Sequence, residues 1–340
     1  MTVANALREG IRRVNGAPVI LCGMFALSLL VALPLSFALR GMIETHLGRS
    51  LAAERAAGSV NYDWWQEFSS QATGLGTTFV PSIIGFGAVL DNLGGLLDNQ
   101  RLATTIAGVT TAWLVLWSFL SGGVLDRYAR ARPTRAQGFF AACGVHFWRF
   151  FRLGIVAFLI YDLLFTWIHP WIFQTVYPRL TRDLTVERTA FFVRLACYLG
   201  FGALLVLTNL VFDYARIRLV VEDRRSALGA LAAALRFVRR QKGALLLYVV
   251  NALLFLLLVL VYALAAPGAP GSGLSMWLVL GLGELYILGR HYMKLLFYAS
   301  QTAFFQGALA HASYTAAPAV VWPDSPAAEA IANADLPGVG

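Results

Sequence analysis

Long uninterrupted apolar runs dominate the chain. Six of these runs are each about 20 residues or longer, are rich in Leu, Val, Phe and Ala, and alternate with polar segments. A helix of about 20 apolar residues crosses the roughly 30 Å hydrocarbon core of a bilayer. The runs lack the period-two alternation of barrel strands, so they predict membrane helices in an all-α, polytopic fold. The six predicted spans are residues 17–40, 104–125, 154–177, 190–213, 244–266 and 275–298.

The composition supports this interpretation. Hydrophobic residues make up 58% of the chain and charged residues 13%, against about 25% charged in a typical soluble domain. The net charge of +9 does not point to nucleic acid, because no basic folded domain remains once the spans are removed. The first run is longer than the core of a signal peptide and lacks a cleavage motif, so we expect it to remain as an anchor.

The distribution of Lys and Arg orients the predicted spans. The N-terminus and the loops after the second and fourth spans carry 17 of these residues, whereas the opposite segments carry seven, among eight acidic residues. Short cytoplasmic segments are enriched in Lys and Arg. We therefore expect a bacterial inner-membrane protein with both termini in the cytoplasm and its basic side against anionic inner-leaflet lipids. The residues predicted to lie at this interface include Arg149, Arg152, Arg236, Arg239 and Arg240.

Two polar regions complete the predicted organisation. Segment 41–103 would lie outside, and its apolar, glycine-rich part from 79 to 97 predicts an interfacial or re-entrant helix with Trp64 and Trp65 at headgroup level. A seventh span there would separate the basic N-terminus from the two Arg-rich loops. The Ala- and Pro-rich residues 311–340 predict a flexible cytoplasmic tail.

Similar motifs recur along the chain. The second, fourth and sixth spans end near Tyr128, Tyr214 and Tyr298, which are 86 and 84 residues apart and are each followed by Ala. A basic amphipathic segment ending in glycine precedes each odd-numbered span. These segments are Ala6–Gly16, His146–Gly154 and Ala234–Gly243.

This recurrence predicts three parallel units, each with an interfacial helix and two spans. The cytoplasmic amphipathic helices would cover residues 1–16 and parts of 126–153 and 214–243, with apolar residues on acyl chains and glycine at the turn into the bilayer. The alternative is that any basic loop beside a span shows this pattern. Parallel units disfavour an inverted-repeat transporter.

Polar side chains within the predicted spans are candidate functional residues. Asp162 and Asn251 each lie eight residues after the glycine that precedes their span, and Glu284 and Arg290 lie in the last span. One hypothesis is a polar centre of Asp162, Asn251 and Glu284 on a shared bundle axis, serving a proton, an ion or a lipid headgroup. The other is that these groups join packed helices through hydrogen bonds of roughly 1 kcal/mol, with an aspartate or glutamate paired to arginine.

Four further groups lie near span ends. His169 and Arg194 are predicted to reach the outer interface, with their polar ends in the headgroup region. Asp126 and Asp213 lie at the cytoplasmic ends of their spans and are predicted to pair with neighbouring arginines.

The sequence contains no catalytic signature. It lacks His-Glu-x-x-His, Gly-x-Ser-x-Gly and paired carboxylates at helical spacing within a span. Its glycine-rich motifs, such as Gly281-Leu-Gly283, have no Gly-Lys-Ser/Thr after them and are typical of close helix packing. The three cysteines have no metal-ligand spacing. We therefore expect no enzymatic activity, no cofactor and no bound metal.

The six-span plan, with a basic helix before each pair of spans and the stretch Glu222–Leu231 after the fourth, supports a resemblance. It resembles a broad group of poorly characterised bacterial membrane proteins that includes the membrane domain fused to some glycerophosphodiester phosphodiesterases. This resemblance covers about residues 104–310. It implies no catalytic residue here, because the soluble phosphodiesterase barrel and its metal-binding His and acidic residues are absent.

Three functions are compatible with the sequence. The leading hypothesis is a non-enzymatic inner-membrane protein that organises or supports a partner complex or lipids through its cytoplasmic helices and tail. The second is a transporter or permease component for a lipid-like or small polar substrate. The third, an intramembrane enzyme, is disfavoured because no catalytic motif is present.

Overall fold

The computed structural model describes residues 1–48, 50, 52–58, 61–80, 86–100, 104–131, 133–266 and 273–311. Within these ranges the regular elements are all helices, which confirms the predicted all-α class. The predicted tail beyond residue 311, Arg132 and residues 81–85 of the outer segment lie outside the described residues.

Twelve α-helices are numbered in chain order through the described ranges. A 3₁₀ turn, Gly74–Thr78, follows α4, and two π-helical stretches, Leu164–Ile168 and Trp171–Val176, continue α7 into α8. The helices are α1 Val3–Asn15, α2 Pro18–Leu47, α3 Ala52–Gly58, α4 Tyr62–Gln71, α5 Phe86–Leu97, α6 Thr104–Arg130, α7 Ala136–Leu163, α8 Tyr177–Thr181, α9 Glu187–Val221, α10 Ala227–Arg240, α11 Lys242–Ala265 and α12 Leu274–His311.

Among the described residues, five helical segments are long and apolar enough to cross a membrane. They are α2, α6 from Ile106, the continuous 46-residue segment Ala136–Thr181, α9 and α11. The chain is therefore a membrane protein by the length and composition of its helices. Helix α12, which contains the predicted span 275–298, has 38 residues but is not among the five. Its sequence includes Glu284, Arg290 and Lys294, which lower its hydropathy.

Only one of the three predicted glycine breaks is at its predicted place. Helix α1 is capped at Gly16, whose N–H donates to Arg12 O, and α2 begins with a proline in its first turn. The break between α10 and α11 is at Gln241, two residues before Gly243. Gly154 lies within α7, so the predicted cytoplasmic helix and third span form one helix. One glycine costs a helix only about 1 kcal/mol, which the packing of buried Phe150 and Leu153 offsets.

The helices that contain the even-numbered predicted spans continue beyond the predicted ends. Helices α6, α9 and α12 extend to residues 130, 221 and 311, not 125, 213 and 298. These extensions provide packing surfaces for the basic helices: α1 lies on α12, the first half of α7 lies on α6, and α10 lies on α9. The apolar faces that we expected on acyl chains are therefore buried against protein, as at Ala6, Gly10 and Val14 of α1.

Small residues allow two of these helix pairs to approach closely. A Cβ atom at Gly10 would lie 2.7 Å from Ser300 Cβ, and one at Gly123 would lie 2.6 Å from Cys143 Sγ. In the third pair, the buried residues of α10 are alanines, including Ala230 and Ala234, which are fully buried. Short side chains bring the helix backbones together.

Arg13 connects α1 to two other helices. Its guanidinium donates to Tyr128 O of α6 at 2.8 Å and to Gln306 Oε1 of α12 at 2.9 Å. Its Nε also donates to Glu9 at 2.9 Å. Burial opposes ionisation of Glu9, but Arg13 and Arg12 outweigh it and lower the pKa of this carboxyl. The C-terminal ends of α6 and α12 thus meet the same N-terminal helix.

The described parts of segment 41–103 pack against the long helices. Trp64 Nε1 donates to His46 Nδ1 at the end of α2, at 3.1 Å, and Trp65 Nε1 donates to Phe79 O at 3.0 Å. Helix α5, within the predicted segment 79–97, packs on α9 and α11. The carbonyl oxygen of Leu97 at its end lies 2.8 Å from Nε2 of His169.

Candidate functional site

A buried polar cluster lies where α6, α9 and α12 meet. Trp117 Nε1 and Arg216 Nη1 both donate to the hydroxyl oxygen of Tyr298, at 3.2 and 3.3 Å. The rings of Trp117 and Tyr298 stack with centroids 5.9 Å apart. Lys294 Nζ lies 3.7 Å from the Trp117 ring centroid, a cation–π contact. Side chains of α6, α9 and α12 therefore all take part in this junction.

Asp213 supplies the negative charge of the cluster. Its carboxylate accepts a bond from Arg216 at 3.0 Å, and its side chain is 8% exposed. No described carboxylate lies within ion-pair distance of Lys294. A buried charge is tolerated when it is paired and hydrogen-bonded, so Asp213 and Arg216 stabilise each other. The cluster holds two cations and one carboxylate and connects three helices.

The repeated tyrosines share a buried environment but not the same contacts. Tyr128 and Tyr214 are fully buried, and within the described residues their hydroxyls have no hydrogen-bond partner. Tyr298, which is 4% exposed, accepts the two bonds of the cluster. Sequence reasoning found Tyr298 as the third copy of a motif but missed Trp117 and Lys294. The signal available was that tyrosine, with a lysine one helical turn before it.

The predicted polar centre is not assembled. Asp162 is exposed and accepts from Thr166 Oγ1 at 3.2 Å, whereas Asn251 is fully buried and donates to Ser300 Oγ at 2.9 Å. Glu284 is half-buried, and the Arg290 guanidinium lies 5.9 Å from the Tyr286 ring centroid. All four candidates are described residues, and no hydrogen bond or ion pair joins any two of them.

Ion pairs near the span ends follow the sequence prediction more closely. Asp126 pairs with Arg130 at 2.9 Å, and Asp213 pairs with Arg216, as predicted. His169 is buried, and its Nε2 lies 2.8 Å from the carbonyl oxygen of Leu97 at the end of α5. Arg194 is exposed to its surroundings and donates to the hydroxyl of Tyr198 at 3.2 Å.

The predicted interfacial arginines form two groups. Arg149 pairs with Asp223, and its guanidinium holds the pKa of that carboxyl below its ordinary value. Arg152 donates to Arg225 O at 3.4 Å. The other three are exposed on α10 and form one basic surface, here called the α10 basic face. Its residues are Arg236, Arg239 and Arg240.

Comparison with known proteins gives no assignment. No protein-family model, no curated protein and no solved structure matches this chain. Function lies in the chemistry of specific sites and not in a fold class, so the proposals below rest on the contacts and charges described above.

Proposed function

We propose that this chain is a non-enzymatic, six-span protein of the bacterial inner membrane that organises lipids or supports a partner complex. Its three units form a ring in which the basic helix of each unit packs on the even-numbered span of another. Two of these contacts, α7 on α6 and α10 on α9, join consecutive helices. The third, α1 on α12, joins the two ends of the helical bundle.

The contacts of α12 support a sixth span. Lys294 is half-buried and lies on the Trp117 ring of α6, so this cation is partly shielded from lipid. Arg290 is exposed and lies beside the Tyr286 ring of its own helix. Because α1 contacts the C-terminal ends of both α6 and α12, through Tyr128 O and Gln306, those ends lie on one side. A membrane-crossing α12 satisfies that requirement and places residues 1–16 and 300–311 in the cytoplasm, on the basic side.

One observation carries the functional part of the proposal. The cations of the cluster contact other helices, Arg216 through Tyr298 and Lys294 through Trp117, and Asp213 pairs with Arg216 within α9. The α10 basic face, in contrast, is exposed. Cationic faces at the inner leaflet attract anionic lipid, at about 1 kcal/mol per Lys or Arg. This arrangement favours a scaffold with a basic docking surface over a conducting path.

Co-purification tests the proposal. Tagged protein is released from membranes in mild detergent, and bound proteins and lipids are identified by mass spectrometry. The test variant changes the α10 basic face to glutamines, and its matched control changes three arginines of the opposite side. The control residues are Arg179, Arg182 and Arg188.

The two variants should behave differently. We expect the α10 variant to lose enriched anionic lipid or a stoichiometric partner, and the control to retain it. Equal retention by both variants, or no enrichment in the wild-type protein, would count against the scaffold function. Enzymatic turnover by the purified protein would contradict its non-enzymatic character.

A transporter or permease component for a lipid-like or small polar substrate is the second candidate. The observation that favours it is the excess of positive charge in the cluster, where the half-buried Arg216 and Lys294 accompany one carboxylate, Asp213. A stoichiometric ATPase in the same co-purification would favour this candidate. The resemblance to the membrane domain of glycerophosphodiester phosphodiesterases stays a prediction.

A further inference from the structure

A groove of about 400 Å³ lies between the start of α2, the end of α6 and the start of α7. Its walls are mainly apolar, and residues at helical spacing contribute from each helix. On α6 they are Leu120 and Val124, followed by Arg127 on the same face. The other walls include Gly23, Met24, Phe139 and Phe140.

Arg127 is a buried cation without a described counter-ion. It is 8% exposed, and its guanidinium donates one hydrogen bond, from Nη2 to Gly16 O at 3.0 Å. Its neighbour Asp126 pairs with Arg130, and no carboxylate in the described ranges lies within ion-pair distance of Arg127. A buried charge of this kind favours an anionic ligand, because the ligand would replace the solvation lost on burial.

Arg127 lies at one end of the apolar wall of the groove. It begins where basic α1 ends and α2 enters the proposed membrane, at Gly16. From Arg127 to Leu120 the face of α6 runs seven residues, or about 10 Å at 1.5 Å per residue. A phospholipid likewise has a charged phosphate at one end, at the membrane interface, followed by an apolar acyl chain. Arginine binds phosphate through paired N–H groups.

We propose that this groove binds one anionic phospholipid, with its phosphate at Arg127 and an acyl chain along α2 and α6. The inference deepens the lipid role proposed above and rests on the membrane placement given there. The single uncompensated charge selects an anionic over a zwitterionic lipid. The lipid would bridge the ends of three helices that belong to two of the proposed units.

Native mass spectrometry of protein released from nanodiscs tests this site. The nanodiscs contain equal amounts of phosphatidylglycerol and phosphatidylcholine, and the retained lipid is counted per protein. Arg127→Gln removes the charge but keeps a donor for Gly16 O, and Arg127→Lys restores the charge. Gly23→Phe fills the groove without changing charge, because a Cβ at Gly23 has no atom within 4 Å. The matched control, Gly144→Phe, also starts from a helical glycine with no atom within 4 Å.

Wild type and Gly144→Phe should each retain one phosphatidylglycerol, with at least about tenfold preference over phosphatidylcholine. A tenfold preference corresponds to a difference in binding free energy of about 1.4 kcal/mol. Arg127→Gln should lose that preference, Arg127→Lys should recover most of it, and Gly23→Phe should retain neither lipid. Thermal unfolding of each variant checks that the protein remains folded.

Two results would overturn the proposal. One is equal retention by Gly23→Phe and Gly144→Phe. The other is a second copy of the chain held at the groove in place of lipid, seen as a dimer that Gly23→Phe alone dissociates. The scaffold function is judged separately by the α10 basic face, so loss of groove lipid with unchanged co-purification, or the reverse, distinguishes the two proposals.

Discussion

Replacing Gly10 with alanine tests the close contact between α1 and α12, which would close the proposed ring of units. The new Cβ would lie 2.7 Å from Ser300 Cβ and 2.8 Å from both Cα and N of Ser300. Two of these atoms belong to the backbone of α12, so no side-chain rotation can make room. Helix α1 must move away from α12, or the two helices must both shift.

The size of the effect follows from two opposing terms. Alanine stabilises a helix interior by roughly 0.5–1 kcal/mol relative to glycine, and overpacking typically costs about 1–3 kcal/mol. Gly10→Ala should therefore be neutral to destabilising by about 2 kcal/mol. Gly144→Ala adds the same methyl group in α7 with no atom within 4 Å, so it keeps only the gain. The pair should differ by about 1–3 kcal/mol.

Two measurements on the protein in detergent test this prediction. With the exposed Cys22 and the half-buried Cys197 both changed to serine, a thiol-reactive dye reports thermal unfolding through Cys143, which is buried in the folded protein. Limited trypsin digestion reports release of α1, because Arg13 is held by Tyr128 O and Gln306 in the closed ring. Gly10→Ala should unfold at a lower temperature than Gly144→Ala and lose its N-terminus faster. If it unfolds at the same or a higher temperature, with unchanged digestion, the close contact between α1 and α12 is refuted.

Two further predictions concern ion pairs. Asp213→Asn leaves Arg216 without its charge partner in the bundle and should destabilise the protein by up to about 3–5 kcal/mol. Asp126→Asn, whose partner arginine is mostly exposed, should cost at most about 1 kcal/mol. Equal unfolding temperatures of the two variants would contradict this difference. Because Arg149 lowers the pKa of Asp223, the pair contributes stability above the unfolded aspartate pKa of about 3.9 and loses it as pH falls through the lower folded value. Asp223→Asn should thus flatten the acid side of the stability profile, measured by unfolding between about pH 3 and 6; an unchanged profile would exclude a contribution from this pair.

The apolar runs predicted the helices well but not their ends. Residues 104–125 and 190–213 lie within α6 and α9 because long apolar runs have no other way to satisfy their backbone in lipid. Their extensions, to 130 and 221, are partly polar, so hydropathy stops short of them. Their helical state depends on packing with α7 and α10, which is a tertiary effect that a single segment does not encode.

The sequence could not show which of the candidate polar residues face one another. Asp162 and Asn251 each lie eight residues after a glycine, which predicts similar positions along their helix axes. The direction of a side chain depends instead on rotation about the helix axis. Both counts run within a helix, from Gly154 in α7 and from Gly243 in α11. They give the height of each residue along its axis but not the side of the helix that faces the bundle, and only Asn251 faces the core. The cluster at Tyr298 joins residues up to 181 positions apart, a separation beyond the reach of local patterns.

The pairing of α1 with α12 also has a consequence for biosynthesis. Helix α1 is made first, yet its partner surface around Ser300 is translated about 290 residues later. At about 5–20 residues per second, the N-terminal helix waits roughly 15–60 seconds for that surface. During this interval the apolar face of α1 cannot pack on α12, because α12 has not yet been made. The contact between α1 and α12 therefore forms only after about 290 further residues have been translated, so it is a late step in the assembly of these helices.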